Sequence, residues 1–202
     1  MTKGRLGLLG LGIVIGLAAV LVGWAFFRSP YQYQGSLFDP ALPAPDFELG
    51  NQNGEPFRLS DQQGKVVLLF FGYTTCPDVC PVTLTEFRQV KQALGEQAGK
   101  VRFVLVTVDP ERDTPQKLGT YVEQFDPAFT GLTGSQEALQ KVYQDYGVYV
   151  AKVDSHTSAG YLVDHTARVY AVDKQGNLRL TYPFGMDVAK MSEDVAHLLA
   201  EK

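Results

Sequence analysis

The chain has 202 residues, but only two are cysteine, three are histidine and one is tryptophan. Two cysteines are too few for a four-cysteine iron–sulfur cluster or an all-cysteine structural zinc site. Neither belongs to a C-x-x-C-H pattern, so covalent haem attachment is excluded. Acidic residues are absent before Asp39, whereas Lys3, Arg5 and Arg28 lie in that stretch. From residue 31 onward 15 bases face 22 acids, a net charge of −7. No basic patch stands out, so no nucleic-acid partner is expected. Internal repeats and low-complexity tracts are also missing.

The longest run without charge is Leu6–Phe27, "LGLLGLGIVIGLAAVLVGWAFF", 22 residues. As a helix it reaches roughly 33 Å, enough to cross a hydrocarbon core of about 30 Å. Lys3 and Arg5 before it keep the amino terminus in the cytoplasm by the positive-inside rule, and Trp24 suits an interfacial anchor. The competing reading is a cleaved signal peptide, but the run is longer than a signal core and no small-x-small site follows. Residues 1–28 therefore read as a single membrane-spanning anchor, with the body outside. Without an Arg- and Ser-rich presequence, the place expected is a bacterial inner membrane, with the carboxy-terminal domain in the periplasm. Thiols tend toward disulfides there.

Residues 29–45 are proline-rich and aperiodic and read as a linker into a domain over 46–202. "DFELGNQNGEPFRLSD" alternates about Asn53-Gly54, the signal of a hairpin. "KVVLLFF" (65–71) and "VRFVLVTV" (101–108) read as strands buried on both faces. Helical spacing links Phe87, Val90 and Leu94; then Leu118, Tyr121, Val122 and Phe125; then Leu139, Val142, Tyr143 and Tyr146, with Ser135 as N-cap. "TARVYAVD" and "NLRLTYPF" flank a turn at 174–176. A closing helix follows, carrying Val188 to Leu199 and capped by Asp187. This order predicts an α/β fold with a mixed central sheet.

Both cysteines lie in "GYTTCPDVCP" (72–81), where a buried strand gives way to a helix. Pro81 costs nothing in a first turn, so Cys76 and Cys80 sit near a helix amino terminus that favours thiolate. Thiolates bind soft metals and attack disulfides. A plain disulfide staple is the structural alternative, but so short a loop constrains little of the unfolded chain. A peroxidatic cysteine is disfavoured, because such sites carry threonine three residues earlier and Tyr73 stands there.

Two thiolates hold Cu(I) in linear geometry, and a third ligand would admit both copper oxidation states. His197 reads as surface, in the last turns of the closing helix, and His156 as solvated in a polar loop. His165, in "YLVDHTARVY", is the candidate, with Asp164 placed to orient its ring or neutralise charge. "VDPERDTP" (108–115) reads as a turn and helix start, with Asp113 or Thr114 as N-cap and Pro115 in the first turn. Docking of a partner is its other reading.

"GYTTCPDVCP", "VTVDPERDTP", "FTGLTGS" and "YLVDHT" occur in this order, and together they resemble the Sco/SenC family over about residues 40–200. The resemblance implies a membrane-anchored protein with a thioredoxin-like fold that delivers copper for assembly of cytochrome c oxidase. Carried over, the copper ligands are Cys76, Cys80 and His165, for Cu(I), Cu(II) or both. Family members often have histidine or another residue where Thr75 stands, a departure that touches no ligand. In redox thioredoxins a cis-proline occupies the loop where His165 falls, and this chain has none there. The implied partners are an oxidase subunit carrying the copper site, and a periplasmic copper donor or thioredoxin-like reductant. The alternative is a thiol–disulfide oxidoreductase that uses Cys76 and Cys80 on the oxidase subunit or another exported protein.

Overall fold

A computed structural model describes residues 15–17, 20, 31–154 and 160–201. It divides into two compact units, Met1–Tyr33 and Gln34–Lys202. In the first unit, residues 15–17 and 20 are helical. The predicted anchor otherwise lies outside the described residues. Among the described residues no helix is long and apolar enough to cross a membrane.

The second unit is built on an eight-stranded mixed sheet. Its centre is β4 (Val66–Gly72), paired in parallel with β5 (Val101–Thr107), which pairs in parallel with β6 (Thr130–Thr133). Every residue of β4 is buried. That explains the unbroken apolar run, since a strand covered on both faces has no solvent side to alternate with. Across its other edge β4 pairs antiparallel with β9 (Arg168–Val172), which forms the expected hairpin with β10 (Asn177–Pro183). The second expected hairpin is β2 (Glu48–Asn51) with β3 (Pro56–Arg58), and β2 adds to β6.

The helices are α1 (Val79–Leu94), α2 (Pro115–Glu123), α3 (Gln136–Asp145) and α4 (Val188–Ala200). Ser135 caps α3 by accepting from the Ala138 N–H, and Asp187 caps α4 by accepting from Ala189 and Lys190. α1 packs on α4, and α2 on β6. Phe87 of α1 meets Phe103 of β5 at 5.4 Å and Phe129 at 6.1 Å between ring centroids.

Two expectations are corrected. Within the span read as linker, Ser36–Pro43 forms β1, the edge strand paired with β10. An edge strand tolerates proline on its unpaired side, and β1 is exposed along nearly all its length, so it lacks an apolar alternation. The chain before it is fastened by the buried Asp194 of α4, whose carboxylate accepts from the N–H groups of Gln34 and Gly35 at 2.9–3.0 Å. The other correction concerns His165. It ends β8 (Tyr161–His165), which pairs only with β7 (Val150–Asp154) in a separate two-stranded sheet. It does not lie in a loop.

Phe87 is fully buried, so Phe87→Ala should lower unfolding free energy by about 3–5 kcal/mol. Urea denaturation followed by circular dichroism measures this.

Candidate metal centre

β4 is buried along its whole length, and at Gly72 it hands over to the turn of residues 73–78, from which α1 departs. A side chain at Gly72 would not fit: its Cβ would lie 2.8 Å from Cys80 Sγ. The cysteine turn is held from one side by a buried carboxylate. Asp113 accepts from the Thr74 N–H at 3.1 Å, from the Thr74 hydroxyl at 2.6 Å and from the Thr107 hydroxyl at 2.7 Å. Asp113 therefore does not cap α2. Thr114 does, accepting from Lys117, with Pro115 in the first turn.

α1 begins one residue before Cys80, as Pro81 required. Cys80 is fully buried, Cys76 is half-buried, and both thiols are free. The Cys80 N–H points to Cys76 Sγ at 3.4 Å. The neighbouring Cys80 thiol, then the His165 ring and the N–H groups of Asp78 and Cys80, hold the Cys76 thiol down to about 4, against the upward push of burial. Cys80 shifts the opposite way, raised by Cys76 beside it and by its own burial. The pair thus gives up one proton readily and holds the second.

His165 reaches the cysteines from β8. Its Nε2 is 3.7 Å from Cys80 Sγ, and the ligand atoms of Cys76, Cys80 and His165 all lie within 4.8 Å of one another. Nδ1 lies 3.3 Å from the Thr166 carbonyl. A carbonyl only accepts, so Nδ1 donates there and Nε2 is the ring nitrogen that faces the sulfurs. Phe70 and Tyr73 meet the ring edge-on, each at 5.9 Å between centroids.

The remaining candidates separate cleanly. Asp164 is exposed, because neighbours on a strand face opposite ways, so β8 turns it away as it turns His165 inward. His197 lies in the last turn of α4, with Nε2 3.7 Å from Glu201. His156 lies outside the described residues. Sequence reasoning missed the buried Asp109 and Asp113. The one signal available was the acid-rich segment Asp109 to Asp113 that follows a nearly fully buried strand.

Two sulfurs and one imidazole make a soft, compact donor set. Thiolates select Cu(I) or zinc, and imidazole also suits Cu(II). The thiol pair alone also suits disulfide exchange, with an accessible attacking sulfur and a buried one behind it.

A family model described as SCO1/SenC matches residues 38–200. A SCO2-like protein of Rickettsia prowazekii is 32% identical over 90% of this chain and 89% of its own. ScoI of Bradyrhizobium japonicum, solved with copper bound, is 39% identical, with a TM-score of 0.69 over 77% of this chain and 96% of its own. Apo Sco1 of Thermus thermophilus is 41% identical, with a TM-score of 0.71 over 85% of this chain and 98% of its own.

Cys76 should react with iodoacetamide ahead of Cys80. A lowered pKa means thiolate above that pKa, so its rate should hold from neutral pH down toward about 4 and fall only below that. Peptide mass spectrometry after timed quenching resolves the two sites.

Proposed function

The chain belongs to the SCO1/SenC family, and from that premise we propose that Cys76, Cys80 and His165 bind one copper ion for delivery to the copper site of a cytochrome c oxidase. The observation that carries the reading is the convergence of the three ligand atoms within 4.8 Å. The copper-bound ScoI of Bradyrhizobium japonicum supports the choice of metal. The tie to the oxidase comes from the family resemblance of the four motifs.

Each residue has a distinct task. Cys76, already a thiolate at neutral pH, meets the incoming ion. Cys80 supplies the second sulfur and must release its proton to do so. His165 offers Nε2 and completes a set that serves both Cu(I) and Cu(II). The half-exposure of Cys76 leaves one side of the site open, so the ion leaves by ligand exchange with an acceptor's thiols or imidazoles. The uncharged run Leu6–Phe27 anchors the domain in a bacterial inner membrane, with the copper site on the periplasmic side, where an oxidase subunit would receive the metal.

The opposite shifts of the two thiols favour one further reading, a reductase of the acceptor's cysteines. The Cys76 thiolate attacks a target disulfide and one target sulfur leaves. Cys80 then loses its proton and displaces the other target sulfur. The outcome is a Cys76–Cys80 disulfide and a target dithiol, and a thioredoxin-like reductant restores the pair. Metal binding needs the thiols and the disulfide abolishes it, so the two activities alternate.

Residues 31–202, reduced and titrated with copper, should bind one ion per chain, and Cu(II) should show thiolate charge-transfer absorption. Cys76→Ser or Cys80→Ser should abolish binding. His165→Ala should weaken Cu(II) far more than Cu(I). Because Cys80 must lose a proton, affinity should fall about tenfold per pH unit as the pH is lowered from neutral. Cu(II) binding by His165→Ala equal to wild type contradicts the assignment.

A further inference from the structure

The β7–β8 hairpin carries a copper ligand of the proposed site yet shares no backbone ladder with the main sheet. It is joined to that sheet through β9, which starts at Arg168, and its free side is held by side-chain ties, most of which converge on the loop after β5. The Tyr161 hydroxyl donates to Asp109 Oδ1 at 2.7 Å. Arg112 Nη1 donates to the Tyr161 carbonyl at 2.9 Å, and its guanidinium lies over the Tyr161 ring, 3.7 Å from the centroid. Arg112 Nε also pairs with Asp109 Oδ2, and the Asp109 carboxylate is fully buried. On the other strand, Lys152 pairs with Glu111 at 2.6 Å. Arg112 also reaches the Tyr73 ring at 5.8 Å. Tyr73 in turn accepts from the Val163 N–H at 3.2 Å and packs against His165.

The same loop holds the cysteines from its other end, through Asp113 and Thr74. One short segment, residues 109–113, thus grips both arms of the site. Asp109 grips through the first residue of β8 and His165 is the last, so the latch fixes one end of the strand while β9, from Arg168 onward, fixes the other.

We propose that Asp109, Arg112 and Tyr161 form a latch that seats the β7–β8 hairpin, fixes His165 against the cysteine turn and so sets how tightly the site holds Cu(II). The role rests on the copper reading above for its metal consequence, while the latch itself is a property of the copper-free protein. These are positioning residues, acting on the ion only through His165. Thiolates carry Cu(I) unaided, so loosening the latch shifts the site toward Cu(I) without emptying it.

Arg112→Lys keeps a cation beside the buried Asp109 but loses the fork that reaches the Tyr161 carbonyl. Tyr161→Phe keeps the ring under the guanidinium and loses only the hydroxyl, so it serves if the first variant fails to fold. In copper-free protein, NMR should show weakened Tyr73–His165 ring contacts and faster amide exchange over residues 161–165. Cu(II) affinity should fall about 10–100-fold, with reduced nitrogen coupling in electron paramagnetic resonance, while Cu(I) affinity changes by less than about threefold. Folded variants with wild-type ring contacts or wild-type Cu(II) affinity would overturn the proposal. So would a parallel fall of Cu(I) and Cu(II) affinity. A wild-type protein that binds no copper would instead overturn the copper reading, and the ring contacts would still judge the latch.

Discussion

Cys80 Sγ and His165 Nε2 lie 3.7 Å apart although 85 positions separate them in the chain. Holding a buried sulfur and an imidazole that close is the constraint around which the domain is arranged. One of the pair sits at the start of α1, at the carboxyl end of the central strand β4. The other ends a hairpin that is not part of the main sheet. The arms meet directly where Tyr73 of the cysteine turn accepts from the Val163 N–H and packs against His165. Both are referred to residues 109–113, which follow β5, the strand beside β4. The rigid centre of the sheet is therefore the common reference for two distant pieces of chain.

That arrangement shapes the chemistry. The sulfurs are unequal because their surroundings are unequal: one is half-exposed beside N–H groups and an imidazole, the other fully buried behind it. An exposed thiolate meets metal or a disulfide first, and a buried thiol closes the reaction. Thiolate ligation and disulfide exchange draw on the same two atoms, so the oxidation state of the pair decides which chemistry is open. The histidine adds what thiols lack, an imidazole nitrogen turned toward the sulfur pair.

Features governed by local chain were legible in the sequence. Ser135 and Asp187 cap helices as their neighbours implied, Asn53-Gly54 turns a hairpin, and the apolar run before the cysteines is a central strand. The three residues that the structure brings together, Cys76, Cys80 and His165, were also named from the sequence, though His165 stood out only through family resemblance, since no local rule ties it to residues so far away. β1 was hidden by its prolines and its exposure, and β6 by having only four residues. The segment 108–115 was read rightly as a turn and helix start. Its deeper part escaped notice because the partners of Asp109 and Asp113 lie up to 52 residues distant. Asp164 was misjudged for the opposite reason. Adjacency in sequence counts against contact on a strand, where neighbours face apart.

X-ray absorption at the copper edge of the loaded, reduced-thiol protein tests the central claim most directly. Two sulfur scatterers and one imidazole nitrogen are expected on a single ion. A spectrum fitted by sulfur alone, or by nitrogen and oxygen alone, in both copper oxidation states would contradict it.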